Sequence, residues 1–203
     1  MSRRFITFEG IDGAGKSTHI EAVAERLRTR GATVIATREP GGTRLAERVR
    51  EIFLHETADA LTETLLAFAA RRDHIGQVIT PALAAGHTVL CDRFTDATFA
   101  YQGGGGGAPL AQLAQLEEWV HAGLQPDLTI WFDLPAELAA TRRARARDAD
   151  RFEQRELSFF ERVRAGYAAR LAASPARFTR IDAALDRDAV WNQIGCALES
   201  RGW

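Results

Sequence analysis

The eight residues Gly10-Ile11-Asp12-Gly13-Ala14-Gly15-Lys16-Ser17 constrain this chain more than any other stretch. They match G-x-x-x-x-G-K-[ST] in full, follow the apolar run Phe5-Ile6-Thr7-Phe8, and open a segment with helical periodicity. That context demands a strand, a glycine-rich loop and a helix N-terminus in succession. The glycines let backbone N–H groups converge on phosphate oxygens, and the helix N-terminus adds partial positive charge. Residues Gly10 to Thr18 therefore form the expected cradle for ATP. Lys16 reaches the β- and γ-phosphates, the Ser17 hydroxyl ligates Mg²⁺, and Thr18 assists at the α-phosphate. Lys16 is also the only lysine among the chain's 26 basic residues. A compact ammonium is retained where the planar arginine fork cannot replace it.

Downstream, short apolar runs alternate with helical patterns. Strands are predicted at 5–8, 33–36, 88–91, 128–132 and 178–181. Helices are predicted at 16–30, 43–54, about 60–85, 110–123, 135–146, 153–173 and 187–200. In the first helix Ile20, Val23, Ala24 and Leu27 fall on one face. This alternation predicts an α/β fold, a five-stranded parallel sheet with helices on both faces, formed by a single domain over 1–203. In such sheets ligands sit at the carboxyl ends of the strands, so the loops after the first three strands should carry the chemistry. The run Gly103–Gly107 is the one low-complexity piece.

Composition narrows the class. A net charge of −1 argues against a protein that coats nucleic acid. No apolar run approaches the roughly 18–20 residues needed to span a bilayer, and the N-terminus lacks the apolar stretch of a signal peptide. Cys91 and Cys196 lie far apart, in no metal-like spacing, and read as reduced thiols of a cytoplasmic protein. A GTPase would need a guanine-reading Asn-Lys-x-Asp, which is impossible when the one lysine lies in the phosphate loop. A small-molecule kinase is the best remaining class.

Further stretches are Phe8-Glu9-Gly10, Arg38-Glu39-Pro40-Gly41-Gly42-Thr43, Asp92-Arg93-Phe94, Ala100-Tyr101-Gln102-Gly103 and Asp150-Arg151-Phe152-Glu153. In order and spacing they resemble the thymidylate kinase family over essentially the whole chain. The resemblance implies phosphoryl transfer from Mg·ATP to dTMP, giving dTDP. It assigns Arg93 to the acceptor phosphate, with Arg38 as a second contact and Pro40 in a turn that is either cis or trans. Asp92 belongs to the Mg²⁺ shell or orients Arg93. Asp12 holds the acceptor sugar or a water on the metal. Arg71 and Phe68 resemble the pair that reads and stacks on thymine, Thr98 the group at the N3 edge, and Tyr101 the residue that excludes a 2′-hydroxyl, with Gln102 beside them.

Arg142, Arg143, Arg145, Arg147 and Arg151 crowd the segment after the fourth strand. They read as a short mobile lid over about 143–152. Some family members carry a catalytic arginine in the phosphate loop, where this chain has Gly13. The chain therefore resembles the lid-arginine type, with Arg147 and Arg151 at the transferred phosphoryl group and Arg143 on adenine. Relatives often carry an arginine where this chain has Gly106. Members are commonly homodimers through helices at about 43–85. Two other readings stay open at this stage: a kinase for another nucleotide or nucleoside, and a nucleotide-binding protein without turnover.

Overall fold

The structure, a computed structural model, describes residues 4–143 and 156–203. Its centre is a sheet of five parallel strands, β1 (Arg4–Glu9), β2 (Val34–Arg38), β3 (Thr88–Asp92), β4 (Leu128–Asp133) and β5 (Phe178–Asp182), in the order β2-β3-β1-β4-β5. Its middle strands need cover on both sides, which is why they read as continuous apolar runs; every residue of β4 is buried. The pleat of β3 sends Leu90 to one face and Val89 and Cys91 to the other. The first face packs on Val23 and Leu27 of α1 (Lys16–Thr29) and on Phe160 and Val163 of α8 (Leu157–Ala173). On the second face, Ile75, Ile79 and Leu83 cover Val89, Cys91 and Phe5. The sheet expected from the sequence is thus observed, with helices on both sides.

The remaining helices are α2 (Arg44–His55), α3 (Ala60–His74), α4 (Thr80–Ala84), α5 (Thr95–Thr98), α6 (Leu110–His121), α7 (Ala136–Arg143) and α9 (Arg187–Glu199). Several begin on side-chain caps, which satisfy the free N–H groups of the first turn. Thr43 accepts from Ala46 N, Asp59 from Leu61 N and Thr62 N, and Asp186 from Ala189 N. The long helix expected over 60–85 is α3 joined to α4 by a π-helical stretch, Ile75–Ile79.

One segment departs from expectation. Residues after β3, including most of the glycine run, are helical: α5 continues into a π-helical stretch, Phe99–Gly105. Each helical glycine costs about 1 kcal/mol relative to alanine. Close packing against α8 overrides that cost. A Cβ on Gly104 would lie 2.7 Å from Arg162 O, and one on Gly105 2.5 Å from the Phe159 ring. Reciprocally, a Cβ on Gly166 would lie 2.8 Å from Ala100 Cα. The glycines let two backbones touch, and that contact fixes the helix bearing Thr98, Tyr101 and Gln102. The expected lid lies outside the described residues, except that the backbone of Arg143 ends α7.

Candidate active site

The loop after β1 turns at Gly10, Gly13 and Gly15, with φ of 134°, 87° and 83°. Gly10 is required twice over, since a Cβ there would lie 2.5 Å from Phe132 O on the neighbouring β4. Lys16 opens α1, and its Nζ donates to Gly10 O at 3.2 Å and lies 3.9 Å from Asp92 Oδ1. Burial first, then Arg93, pull the Lys16 ammonium below the usual lysine range, while Asp92, Asp12 and Glu9 oppose them. Anionic phosphates would relieve that penalty. Ser17 and Thr18 are exposed on the first turn. Asp92 Oδ1 is buried and accepts no hydrogen bond from the described residues. Among the described residues no group of three or more His, Cys, Asp or Glu could hold a metal ion, so any cation here would take much of its shell from phosphate and water.

Arg93 joins this loop to the next cleft. It follows β3 at a left-handed φ of 67°, with its N–H donating to Phe8 O at 2.9 Å. Such a backbone is unfavourable for a side-chain-bearing residue and persists only where its surroundings over-determine it. Here they do. Nη2 donates to Asp12 Oδ1 at 2.8 Å, Nη1 to the Tyr167 hydroxyl at 3.3 Å, and the guanidinium lies 4.9 Å from the Tyr101 ring centre. Tyr167 donates in turn to Glu9 Oε2 at 2.9 Å, while Glu9 Oε1 accepts from Phe94 N at 2.7 Å. Burial, reinforced by Asp96, pushes the Glu9 carboxyl up to about 8. Burial works against the Arg93 charge, but Asp12 leads a set of groups that holds its pKa well above the usual value.

The cleft beyond Arg93 is walled by Asp12, Glu39, Pro40, Arg50, Arg71, Arg93, Thr98, Tyr101 and Gln102, with apolar surface from Phe53, Leu54 and Phe94. The Glu39–Pro40 bond is cis, which decides between the two turns the sequence left open. Arg71 Nε donates to Glu39 Oε2 at 2.7 Å and Nη2 to Thr98 Oγ1 at 3.0 Å. Gln102 Nε2 donates to Glu63 Oε2 at 3.1 Å. On the far side, Arg50 Nη1 donates to Pro40 O at 3.2 Å.

Of the residues proposed from sequence for the acceptor, Asp12, Pro40, Arg71, Arg93, Thr98, Tyr101 and Gln102 meet on this wall. Two do not. Phe68 is 2% exposed and sits in the core with Phe99 and Leu113, where its ring lies 6.4 Å from His121 and 4.8 Å from the Arg71 guanidinium. It faces away because the turn of α3 that carries it lies against α6. Phe53 is an aromatic residue of the cleft lining instead; Phe94 also lines the cleft but is fully buried, with its ring 4.9 Å from that of Phe5. Arg38, 52% exposed, is drawn outward by an ion pair with Glu47 at 2.8 Å. Arg147 and Arg151, and the side chain of Arg143, lie outside the described residues.

The structure also adds residues that the sequence reading gave no role: Glu9, Glu39, Arg50, Phe53, His74 and Tyr167. Arg50 and Phe53 share one face of an amphipathic helix, and that spacing could have marked them. Nothing local marks Tyr167, which reaches the site only through the crossing of α8 over the glycine helix.

A family model described as thymidylate kinase matches residues 8–194. The thymidylate kinase of Paracidovorax citrulli is 58% identical over 212 residues, covering 100% of this chain and 96% of that protein. That of Cupriavidus metallidurans is 60% identical over 199 residues, covering 98% and 97%. Among solved structures, the crystal structure of thymidylate kinase from Ehrlichia chaffeensis superposes with a TM-score of 0.82 at 35% identity, over 98% of this chain and 99% of that one.

Proposed function

The chain belongs to the thymidylate kinase family and phosphorylates dTMP to dTDP with ATP, and on that premise we propose which of its residues carry the reaction. The cleft between Pro40, Arg71 and Tyr101 takes dTMP, and the loop Gly10–Thr18 takes the phosphates of ATP. A dTMP phosphate oxygen attacks the γ-phosphorus in line. The bond from that phosphorus to the β–γ bridging oxygen breaks, and its electron pair leaves on ADP. The attacking phosphate is already ionised near neutral pH, so no general base is assigned. The protein's work is alignment and charge neutralisation. Lys16 neutralises the donor phosphates. Arg93 grips the acceptor phosphate with a two-pronged donor set, and Asp12 holds that guanidinium in register between the two substrates. Arg147 and Arg151 remain the proposed cations from the lid, with Arg143 on adenine.

Mg²⁺ fits this donor set. The buried Asp92 Oδ1, in an ion pair with Lys16 but without a hydrogen bond among the described residues, and the exposed Ser17 at the head of α1 are hard oxygen ligands. They would hold the ion, which when bound neutralises charge on the donor's β- and γ-phosphates. We further propose a homodimer, supported by Leu45 and Ile52 of α2 and Leu61 and Leu65 of α3, all exposed. A cytoplasmic location is supported by the free thiols of Cys91 and the exposed Cys196.

The single observation that carries the assignment is Arg93, fixed between Asp12 and Tyr167 on the rim shared by loop and cleft. An ADP-release assay with Mg·ATP, run on dTMP and on the other nucleoside monophosphates, tests it beside Lys16→Ala and Arg93→Ala. Lys16→Ala should cut kcat by about 10²-fold or more. Arg93→Ala should raise KM for dTMP as well as lower kcat. An Arg93→Ala enzyme with normal dTMP kinetics would remove Arg93 from the acceptor phosphate.

A further inference from the structure

Arg71 is tightly held at the wall of the cleft. It is 3% exposed, and its two occupied donors, Nε and Nη2, face Glu39 and Thr98. Nη1 is buried and has no hydrogen-bond partner among the described residues, in an arginine that lines the cleft. The support for this arrangement runs backwards from the cleft. Glu39 accepts from Arg71 through Oε2 and from His74 Nδ1 through Oε1, at 2.7 and 2.9 Å. An ionised carboxylate only accepts, so the His74 proton sits on Nδ1. Its Nε2 pairs with Thr37 Oγ1 at 2.7 Å. Burial acts to raise the Glu39 pKa, but Arg71 and His74 together hold it below the usual carboxylate range, so the carboxylate stays charged.

The sequence motif closes over this chain of contacts. Gly42 has a φ of 86°, and a Cβ there would lie 2.6 Å from both His74 Nε2 and Thr37 Oγ1. The second glycine of Pro40-Gly41-Gly42-Thr43 is therefore what allows His74 and Thr37 to meet. None of these contacts is needed to hold a phosphate. They converge on one guanidinium.

We infer that Glu39 and His74 are positioning residues for recognition of the acceptor base: the chain Thr37–His74–Glu39 pins Arg71 at the cleft wall so that Nη1, the donor left unpaired, is the one available to the base. The inference rests on the assignment of Arg71 to the base edge. A donor that cannot turn away is selective. A carbonyl opposite Nη1 completes its hydrogen bonding, whereas an amino group there sets donor against donor and leaves both buried and unpaired. An arginine released from Glu39 could rotate, and that selectivity would fall. Glu39 and His74 touch no reacting atom, so their effect should appear in acceptor binding and base choice rather than in the transfer step.

The test is steady-state kinetics on the full-length enzyme with saturating ATP, using dTMP and dCMP as acceptors that differ in a carbonyl or amino group at C4. The variants are Glu39→Gln, His74→Leu, His74→Asn and Arg71→Lys. Glu39→Gln should raise KM for dTMP by about 10-fold or more, because an amide cannot accept from both Arg71 and His74. Its kcat should stay within about 3-fold, and its preference for dTMP over dCMP should shrink by about 10-fold. In a separate titration of ATP at saturating dTMP, KM for ATP should not move. His74→Leu should act in the same direction, and His74→Asn, with an amide nitrogen near the Nδ1 position, should restore much of the loss. Melting temperature and active-site titration accompany each variant. A purely structural role would lower those two and leave the KM and base preference of the surviving active enzyme unchanged, which overturns the inference. A preference altered by Arg71→Lys, but by neither Glu39→Gln nor His74→Leu, also overturns it while leaving Arg71 at the base. A preference unmoved by Arg71→Lys withdraws the base assignment itself, and the inference with it. Should Glu39→Gln fail to fold, the contrast between His74→Leu and His74→Asn decides alone.

Discussion

The loop from Gly10 to Ser17 and the cleft behind Arg93 share one rim of the sheet, but they are assembled differently. The loop is contiguous and acts largely through its backbone, with three glycines at positive φ and one lysine folded over Gly10 O. The cleft gathers Asp12, Glu39, Arg71, Arg93, Thr98 and Tyr101 from separate segments, and acts through side chains held by other side chains. The difference decides what each can tolerate. A backbone site is ruined by a single added Cβ and is indifferent to most surrounding polar chemistry. A side-chain site can be detuned from a distance, through Tyr167 and Glu9 under Arg93 or through His74 under Arg71.

Gly10→Ala should give the largest effect, because it strikes the loop where a Cβ meets Phe132 O at 2.5 Å under a φ of 134°. We expect a stability loss of roughly 2–4 kcal/mol and at least about a 100-fold loss of activity, read by thermal melting and ADP release. An active, stable Gly10→Ala enzyme would mean the loop and β4 can separate, and the contrast with the cleft would lose its basis.

Glu9→Gln probes the cleft from beneath. The Glu9 carboxyl titrates near 8 when folded, against an ordinary value of 4.5. The folded protein therefore keeps a proton that the unfolded chain has released. That contribution is complete below the unfolded value and is lost as pH rises through the folded one. The melting temperature of the wild type minus that of Glu9→Gln should thus fall between about pH 5 and about pH 9. Parallel curves across that range would show that Glu9 does not titrate there.

Arg38→Ala should matter least. Its ion pair with Glu47 is exposed, so the loss should stay under about 1 kcal/mol, with KM for dTMP within about 2-fold. A rise of tenfold or more would return Arg38 to the acceptor phosphate, the role its motif suggested, and would enlarge the cleft.

Much of this was legible from residue order. All five strands were, β1 to β4 as short stretches dominated by apolar residues and β5 as Phe178-Thr179-Arg180-Ile181, and the parallel sheet followed from their alternation with helices. The glycine run after Tyr101 reads only as a low-complexity piece, with no helix predicted for it. Five consecutive glycines carry no helical signal, and only α8, through Gly166 and the backbone of Arg162, makes their lack of side chains an advantage. Phe68 was misassigned for a related reason. Its distance from Arg71 on α3 could be read, but which face of the helix met α6 and which met the cleft could not.

The sequence by itself therefore determined the phosphate loop, its lysine and the strand–helix frame around it, because a contiguous motif sets its own backbone geometry. Only the tertiary structure decided the partners of Arg71 and Arg93, the burial of Phe68 and the turning outward of Arg38. A side chain's donors are assigned by whichever segments fold against it, and Glu39, His74, Thr98 and Tyr167 come from parts of the chain that no local pattern links.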